Sequence, residues 1–166
     1  KLNQIRHYGA DLVQVPGPRS EAARAVLKEV KHGARYASHA FLPFGLPGIA
    51  TIAYELFEQM GERLPGTVIA PAGHGALLLG IARGFASLCL SGYAVDRPYL
   101  VGVQAAACAP LAALFLHGPE AMDAAAEGQT LAEGVRVRRP ARADALRAEI
   151  QPGQGEMAAI GEAEID

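Results

Sequence analysis

One junction limits the possible folds more than any other part of this 166-residue chain. Thr67-Val68-Ile69-Ala70 is its most strand-like run, since β-branched residues suit a pleated, half-buried surface. Pro71-Ala72-Gly73-His74-Gly75-Ala76 follows as a turn of small residues. The segment from Leu77 to Leu90 is then apolar on nearly every side, which predicts a helix buried within its domain. A strand that passes through a short glycine turn into a buried helix is what a parallel sheet repeats.

The rest of the chain continues the alternation. After Leu90 the sequence predicts a strand at Tyr99–Val103, two short alanine-rich helices and a loop over Gln129–Pro140. A helix near Asp144–Ile150 and a strand at Glu156–Ile160 follow. Before Thr67, Asp11–Val15 reads as a short strand closed by Pro16-Gly17-Pro18, and Arg19–Lys31 as a helix with Ala22, Val26 and Val30 on one face. Arg35–His39 reads as a short extended piece. A helix entered through Pro47 carries the stripe Ile49, Ile52, Ala53, Leu56, Phe57 and Met60, and Gly61 stops it. The expected fold is therefore α/β, a twisted and mostly parallel sheet with helices on both faces.

Composition narrows the function. Hydrophobic residues make up 51% and charged residues 19%, a globular balance rather than a disordered one. The net charge is −2 and the basic residues are scattered, which argues against nucleic acid as a partner. The one dense basic run, Arg136-Val137-Arg138-Arg139, reads as a solvated loop or an ion-paired surface. No stretch reaches the ~18 apolar residues of a membrane span. Lys1–Arg6 lacks the features of a signal peptide. Cys89 and Cys108 lie among apolar neighbours, as buried free thiols in a reducing compartment would, so cytoplasm is expected. His7, His32, His39, His74 and His117 have no ligand spacing, and no metal site is expected. Both ends look cut: Lys1 enters a helical pattern directly, and Glu162–Asp166 reads as a first helical turn that stops.

Chemistry is expected between Ile69 and Leu79. In open parallel sheets, ligands bind beyond the carboxyl ends of the strands. A helix start offers free N–H groups and a positive dipole end, which suits phosphate. Gly73 and Gly75 would permit close backbone approach, although a tight loop with no ligand gives the same sequence pattern. Neither nucleotide fingerprint fits, because Leu78 stands where a third glycine belongs and no Gly-Lys-Ser/Thr follows.

Four segments, in the same order, resemble the fold-type-II pyridoxal-phosphate enzymes, the tryptophan-synthase-β-like superfamily that includes threonine synthase and threonine dehydratase. Lys1-Leu2-Asn3-Gln4-Ile5-Arg6-His7-Tyr8-Gly9-Ala10-Asp11-Leu12-Val13 is similar to the family's K-x-x-x-x-R-x-Y-G-A-x-V-V segment. Tyr36–His39 and Gly48–Glu55 resemble the stretch entering the large domain, above all in threonine-synthase-like members. Pro71–Leu77 sits where the family carries its cofactor-phosphate loop. Thr130-Leu131-Ala132-Glu133-Gly134 resembles the T-x-A-D/E-G segment beside the cofactor ring in the dehydratase-like branch.

The resemblance implies a fragment: residues 1–33 as the C-terminal remnant of a small domain, and 34–166 as most of the large cofactor-binding domain, truncated at its C-terminal end. It implies pyridoxal 5'-phosphate, with Gly73, His74, Gly75, Ala76 and Leu77 at its phosphate and Glu133 and Gly134 at a pocket wall. His74 reads either as a hydrogen-bond donor to the phosphate or as an ordinary loop histidine. Glu133 reads either as a ring-facing carboxylate or as a surface acid. The loop departs from the family's three or four glycines or its G-N-x-G-N form. The three lysines, Lys1, Lys28 and Lys31, all lie in exposed helical contexts, so the Schiff-base lysine is absent and no catalytic residue is assigned. The parent enzyme is expected to be a homodimer that acts on a small amino acid by β/γ-elimination or replacement, like threonine synthase. Threonine/serine dehydratase, a lyase, is the alternative, and a non-catalytic α/β anion-binding module is a reading of another class.

Overall fold

The computed structural model describes residues 2–42, 44–150 and 153–165, which group into two compact units, Lys1–Ser38 and His39–Asp166. The first unit holds two helices, α1 (Leu2–His7) and α2 (Arg19–Lys31), the second with the bounds read from its spacing. The strand expected at Asp11–Val15 does not form, and Val13 is 83% exposed there. A short strand-like run becomes a strand only when a neighbouring strand takes its backbone groups, and this unit has none among the described residues. Residues 34–38 likewise have no regular structure.

The second unit runs α3 (Gly45–Gln59), β1 (Thr67–Pro71), α4 (Ala76–Leu90), β2 (Tyr99–Ala105), α5 (Pro110–His117), α6 (Pro119–Ala124), α7 (Ala143–Ile150) and β3 (Gly155–Ile160). The three strands form a fully parallel sheet in the order β1-β2-β3, with Ala70 opposite Gly102 and Gly102 opposite Met157. Both crossovers step the same way across the sheet, so a common handedness puts their helices on one face. The contacts agree. A side chain at Gly102 would meet Met157 and, 2.9 Å away, Leu78 of α4. Gln104, on the same face, bonds to the start of α5. Leu100 lines a small cleft with Ile150 of α7. The core on this face includes Leu78, Leu79, Phe85, Leu111, Leu114, Leu146, Ile150 and Met157. On the other face Ile69 is 68% exposed, and Val101 and Val103 are half-buried.

Helices α3 and α4 pack closely because α4 carries Gly80 and Gly84, one turn apart. A Cβ at Gly80 would lie 2.5 Å from Ile49 Cγ2, and one at Gly84 would lie 2.5 Å from the Ala50 carbonyl oxygen. Cys108 is buried as expected, whereas Cys89 is only half-buried: it stands at the last turn of α4, beside exposed Leu90.

Candidate functional site

The carboxyl ends of β1 and β2 lie side by side, and each leads to a helix. Ala72 continues the pairing beyond β1 by donating its N–H to the Val103 carbonyl at 2.9 Å. Gly75, at φ +82°, then turns the chain into α4, a backbone region that L side chains rarely adopt. Its would-be Cβ lies 3.2 Å from Leu146 Cδ2 and 3.6 Å from Arg142 Cβ, so the turn is fitted closely against the start of α7. Gly73 is held as tightly, its would-be Cβ lying 3.3 Å from Val137 Cγ2 and 3.4 Å from Val135 Cα. Gly75 is buried, while Gly73, His74, Ala76 and Leu77 keep partial exposure.

The hydrogen bonds identify what the junction lacks. Leu79 donates to the Gly75 carbonyl at 3.0 Å, which closes the first helical bond of α4. The amides of Ala76, Leu77 and Leu78 precede that bond, and among the described residues no carbonyl or side chain accepts from them. No acidic side chain lies in this first turn. The adjoining Arg142 adds another donor, since its Nε is buried with no hydrogen-bond partner. Donors without acceptors at a positive helix end fit a phosphate group. The glycine cradle therefore suits the phosphate of the cofactor that the sequence resemblance implies.

His74 joins this turn to the next loop. Its Nδ1 accepts the Ala141 N–H at 3.3 Å, and its carbonyl accepts the Arg142 N–H at 3.0 Å. An accepting Nδ1 leaves the proton on Nε2 in the neutral ring. The ring also meets His39 edge to face, with centroids 6.1 Å apart.

Glu133 and Gly134 stand in a single 3-10 turn, Glu133–Val135, and both are exposed. That turn reaches the glycine loop through Val135, while nothing lies within 4 Å of a would-be Cβ at Gly134. Thr130 is buried, and its hydroxyl accepts the Ala132 N–H at 3.1 Å. Glu162, just beyond β3, accepts the Leu131 N–H at 2.9 Å. That bond, with one from the Thr130 hydroxyl, holds the Glu162 carboxyl below its ordinary range. Lys28 and Lys31 are exposed on α2, and Lys1 lies outside the described residues.

Three contributors escape a reading of the sequence. Gln104, 1% exposed, donates from Nε2 to the Ala72 carbonyl at 2.9 Å. Its Oε1 accepts the N–H groups of Leu111 at 2.8 Å and Ala112 at 3.1 Å. A lone polar residue at a buried position of an apolar strand was the available signal. Arg142 and Glu162 act through loop contacts that no local pattern announces. Among the described residues, no three His, Cys, Asp or Glu side chains gather as metal ligands, and no helix is long and apolar enough to cross a membrane. The cleft by Leu100 and Ile150 lies toward the opposite end of the sheet, where Arg97 pairs with Glu149 at 2.9 Å.

Fold and junction define an α/β protein of the parallel-sheet class, with a helix start, at the carboxyl end of a strand, whose first amides have no acceptor among the described residues. Known proteins make the assignment specific. The family model described as pyridoxal-phosphate dependent enzyme matches residues 1–165, and the chain belongs to that family. It is 28% identical over 165 residues to the threonine synthase of Methanocaldococcus jannaschii, covering 99% of this chain and 41% of that protein. It is 27% identical to the threonine synthase of Synechocystis sp., with the same coverage of each. The crystal structure of a T.th. threonine deaminase superposes with a TM-score of 0.66 at 26% identity, covering 98% of this chain and 51% of that one. The chain thus spans about two fifths of the length of the curated relatives it matches.

Proposed function

We propose that this chain is the phosphate-anchoring part of a threonine-synthase-like enzyme of amino-acid metabolism, one that catalyses β/γ-elimination or replacement on a small amino acid. One observation carries the reading: α4 begins with acceptor-free amides directly after a left-handed Gly75. In this reading the Ala76, Leu77 and Leu78 amides hold the cofactor phosphate, and Gly73 and Gly75 let the loop pack against Val137, Leu146 and Arg142 in the shape that presents those amides. His74 fixes the neighbouring loop, and Glu133 and Gly134 form a pocket wall. When bound, pyridoxal phosphate takes up the charge left as an amino acid loses its α-proton.

The lysine that bonds the cofactor belongs to another part of the parent enzyme, a reading supported by the exposure of Lys28 and Lys31. Residues 1–33 then end the small domain and 34–166 form most of the large one; a two-part division, although with its boundary at Ser38/His39, supports this reading. The parent enzyme is read as a cytoplasmic homodimer, on the family resemblance and the two free thiols.

A second reading, threonine dehydratase, is favoured by the superposition on threonine deaminase and by Thr130–Gly134. The full-length protein, supplied with pyridoxal phosphate, separates the two. Release of threonine supports the first reading, and conversion of threonine to a keto acid and ammonia supports the second. A protein that binds phosphate but changes no amino acid would be the non-catalytic anion-binding module instead.

A further inference from the structure

We propose that Arg142 is a charged ligand of the phosphate at the start of α4, supplying by side chain what the glycine loop lacks. The inference rests on the reading of Gly73–Leu77 as a phosphate cradle. Pro71–Leu77 contains no lysine, arginine, serine, threonine or asparagine, so its own side chains offer a phosphate only His74. Backbone amides carry partial charges, and a dianion held by them alone lacks a full countercharge.

Arg142 stands where that charge is missing. Its N–H is bonded to the His74 carbonyl at 3.0 Å, which fixes its backbone against the loop. Its Cβ lies 3.6 Å from the place where a Gly75 side chain would begin. Its Nε is shielded from solvent and donates to nothing, and no carboxylate pairs with the guanidinium among the described residues. A buried donor without an acceptor is costly. The amides of Ala76, Leu77 and Leu78, which follow directly on the Gly75 against which Arg142 packs, share this lack of acceptors. A phosphate has enough oxygens to serve both, and the planar guanidinium donates to phosphate as readily as to carboxylate.

The test uses the full-length protein freed of cofactor, with three probes: pyridoxal phosphate, pyridoxal without its phosphate, and inorganic phosphate. Arg142→Met is expected to weaken pyridoxal phosphate binding about tenfold and leave pyridoxal binding unchanged. It should also abolish the rise in Tm that inorganic phosphate gives the unsubstituted protein. Arg142→Lys keeps the charge and should recover part of the loss. Equal weakening toward pyridoxal and pyridoxal phosphate would overturn the proposal, because it would show that Arg142 only shapes the loop. Unchanged affinity for both would overturn it too. A protein with an intact Arg142 that prefers neither phosphate-bearing probe would overturn the cradle and Arg142 together. Should Arg142→Met fail to fold, nitrogen NMR of the unsubstituted protein decides. The Arg142 Nε signal, assigned by its disappearance in Arg142→Lys, must move on phosphate addition, and a fixed signal overturns the proposal.

Discussion

Helices α4 and α5 begin at equivalent places, just beyond the carboxyl ends of neighbouring parallel strands, yet their first turns are completed differently. At α5, Pro110 has no N–H to satisfy, and the Gln104 side chain takes the amides of Leu111 and Ala112. At α4, Gly75 carries the turn and the amides of Ala76, Leu77 and Leu78 are taken by no described group. Topology therefore provides two helix starts of the same kind, and a few side chains decide which one is closed. A buried amide side chain makes one a piece of the core, and small residues leave the other available to an anion.

The largest effect is expected where the closed start is forced open. Gln104→Leu would strand two amides and the Ala72 carbonyl, at roughly 1–3 kcal/mol for each unsatisfied group. Partial relaxation should leave a loss of about 3–5 kcal/mol, measured by urea denaturation of the full-length protein. A loss below about 1 kcal/mol would mean that water replaces Gln104 and that α5 is not truly sealed.

Closing the open start should cost binding instead. Gly75→Val adds a β-branched side chain at φ +82°, toward Leu146 Cδ2. The distorted turn should weaken pyridoxal phosphate at least ~10-fold by absorbance titration, through one or two charge-assisted hydrogen bonds. Gly61→Ala is the control. Gly61 also has a positive φ, +68°, but nothing lies within 4 Å of its would-be Cβ. Alanine there should cost about 1 kcal/mol of stability and leave affinity unchanged. Equal affinity losses in the two variants would place the phosphate in another loop.

The smallest effect concerns the loop carrying Glu133. Its tether, Glu162, has a carboxyl held below the ordinary value by the Leu131 N–H and the Thr130 hydroxyl. A depressed folded value means that the tether is fully in force above the ordinary glutamate pKa of about 4.3 and is lost as pH falls through the lower folded value. Hydrogen exchange at the Leu131 amide, corrected for its intrinsic pH dependence, should accelerate in that acid range. Glu162→Gln keeps an acceptor but has no charge to titrate, so its exchange should show no such step.

The sequence carried the fold where regular elements repeat and lost it where contacts are distant. The β1–α4 unit was legible because its strand and its helix are both mostly apolar, and glycine marks the bend between them. Helix α2 was legible from spacing alone. Asp11–Val15 failed because a strand depends on a partner that its own residues cannot specify. In the candidate site, Gly73–Leu77 could be singled out from the junction and the family resemblance. The meeting of Val135 and Val137 with Gly73 could not, since more than sixty residues separate them and no local period encodes the approach. Gln104 stood in plain view as a polar interruption of β2, but its role emerges only once Ala72 and Leu111 are seen on either side of it.

The close seam between α3 and α4 bears on how such a sequence can drift over evolutionary time. At Gly80 and Gly84 the addition of a single methyl group meets Ile49 and the Ala50 carbonyl, so even the most conservative replacement is barred. At exposed Leu90 or Leu131 a change of a whole side chain meets almost nothing. Chemical similarity between amino acids is therefore a poor guide to tolerance here. Along α4, divergence should accumulate toward its exposed end while the two glycines stay fixed, making them better markers of shared descent than the bulky residues around them.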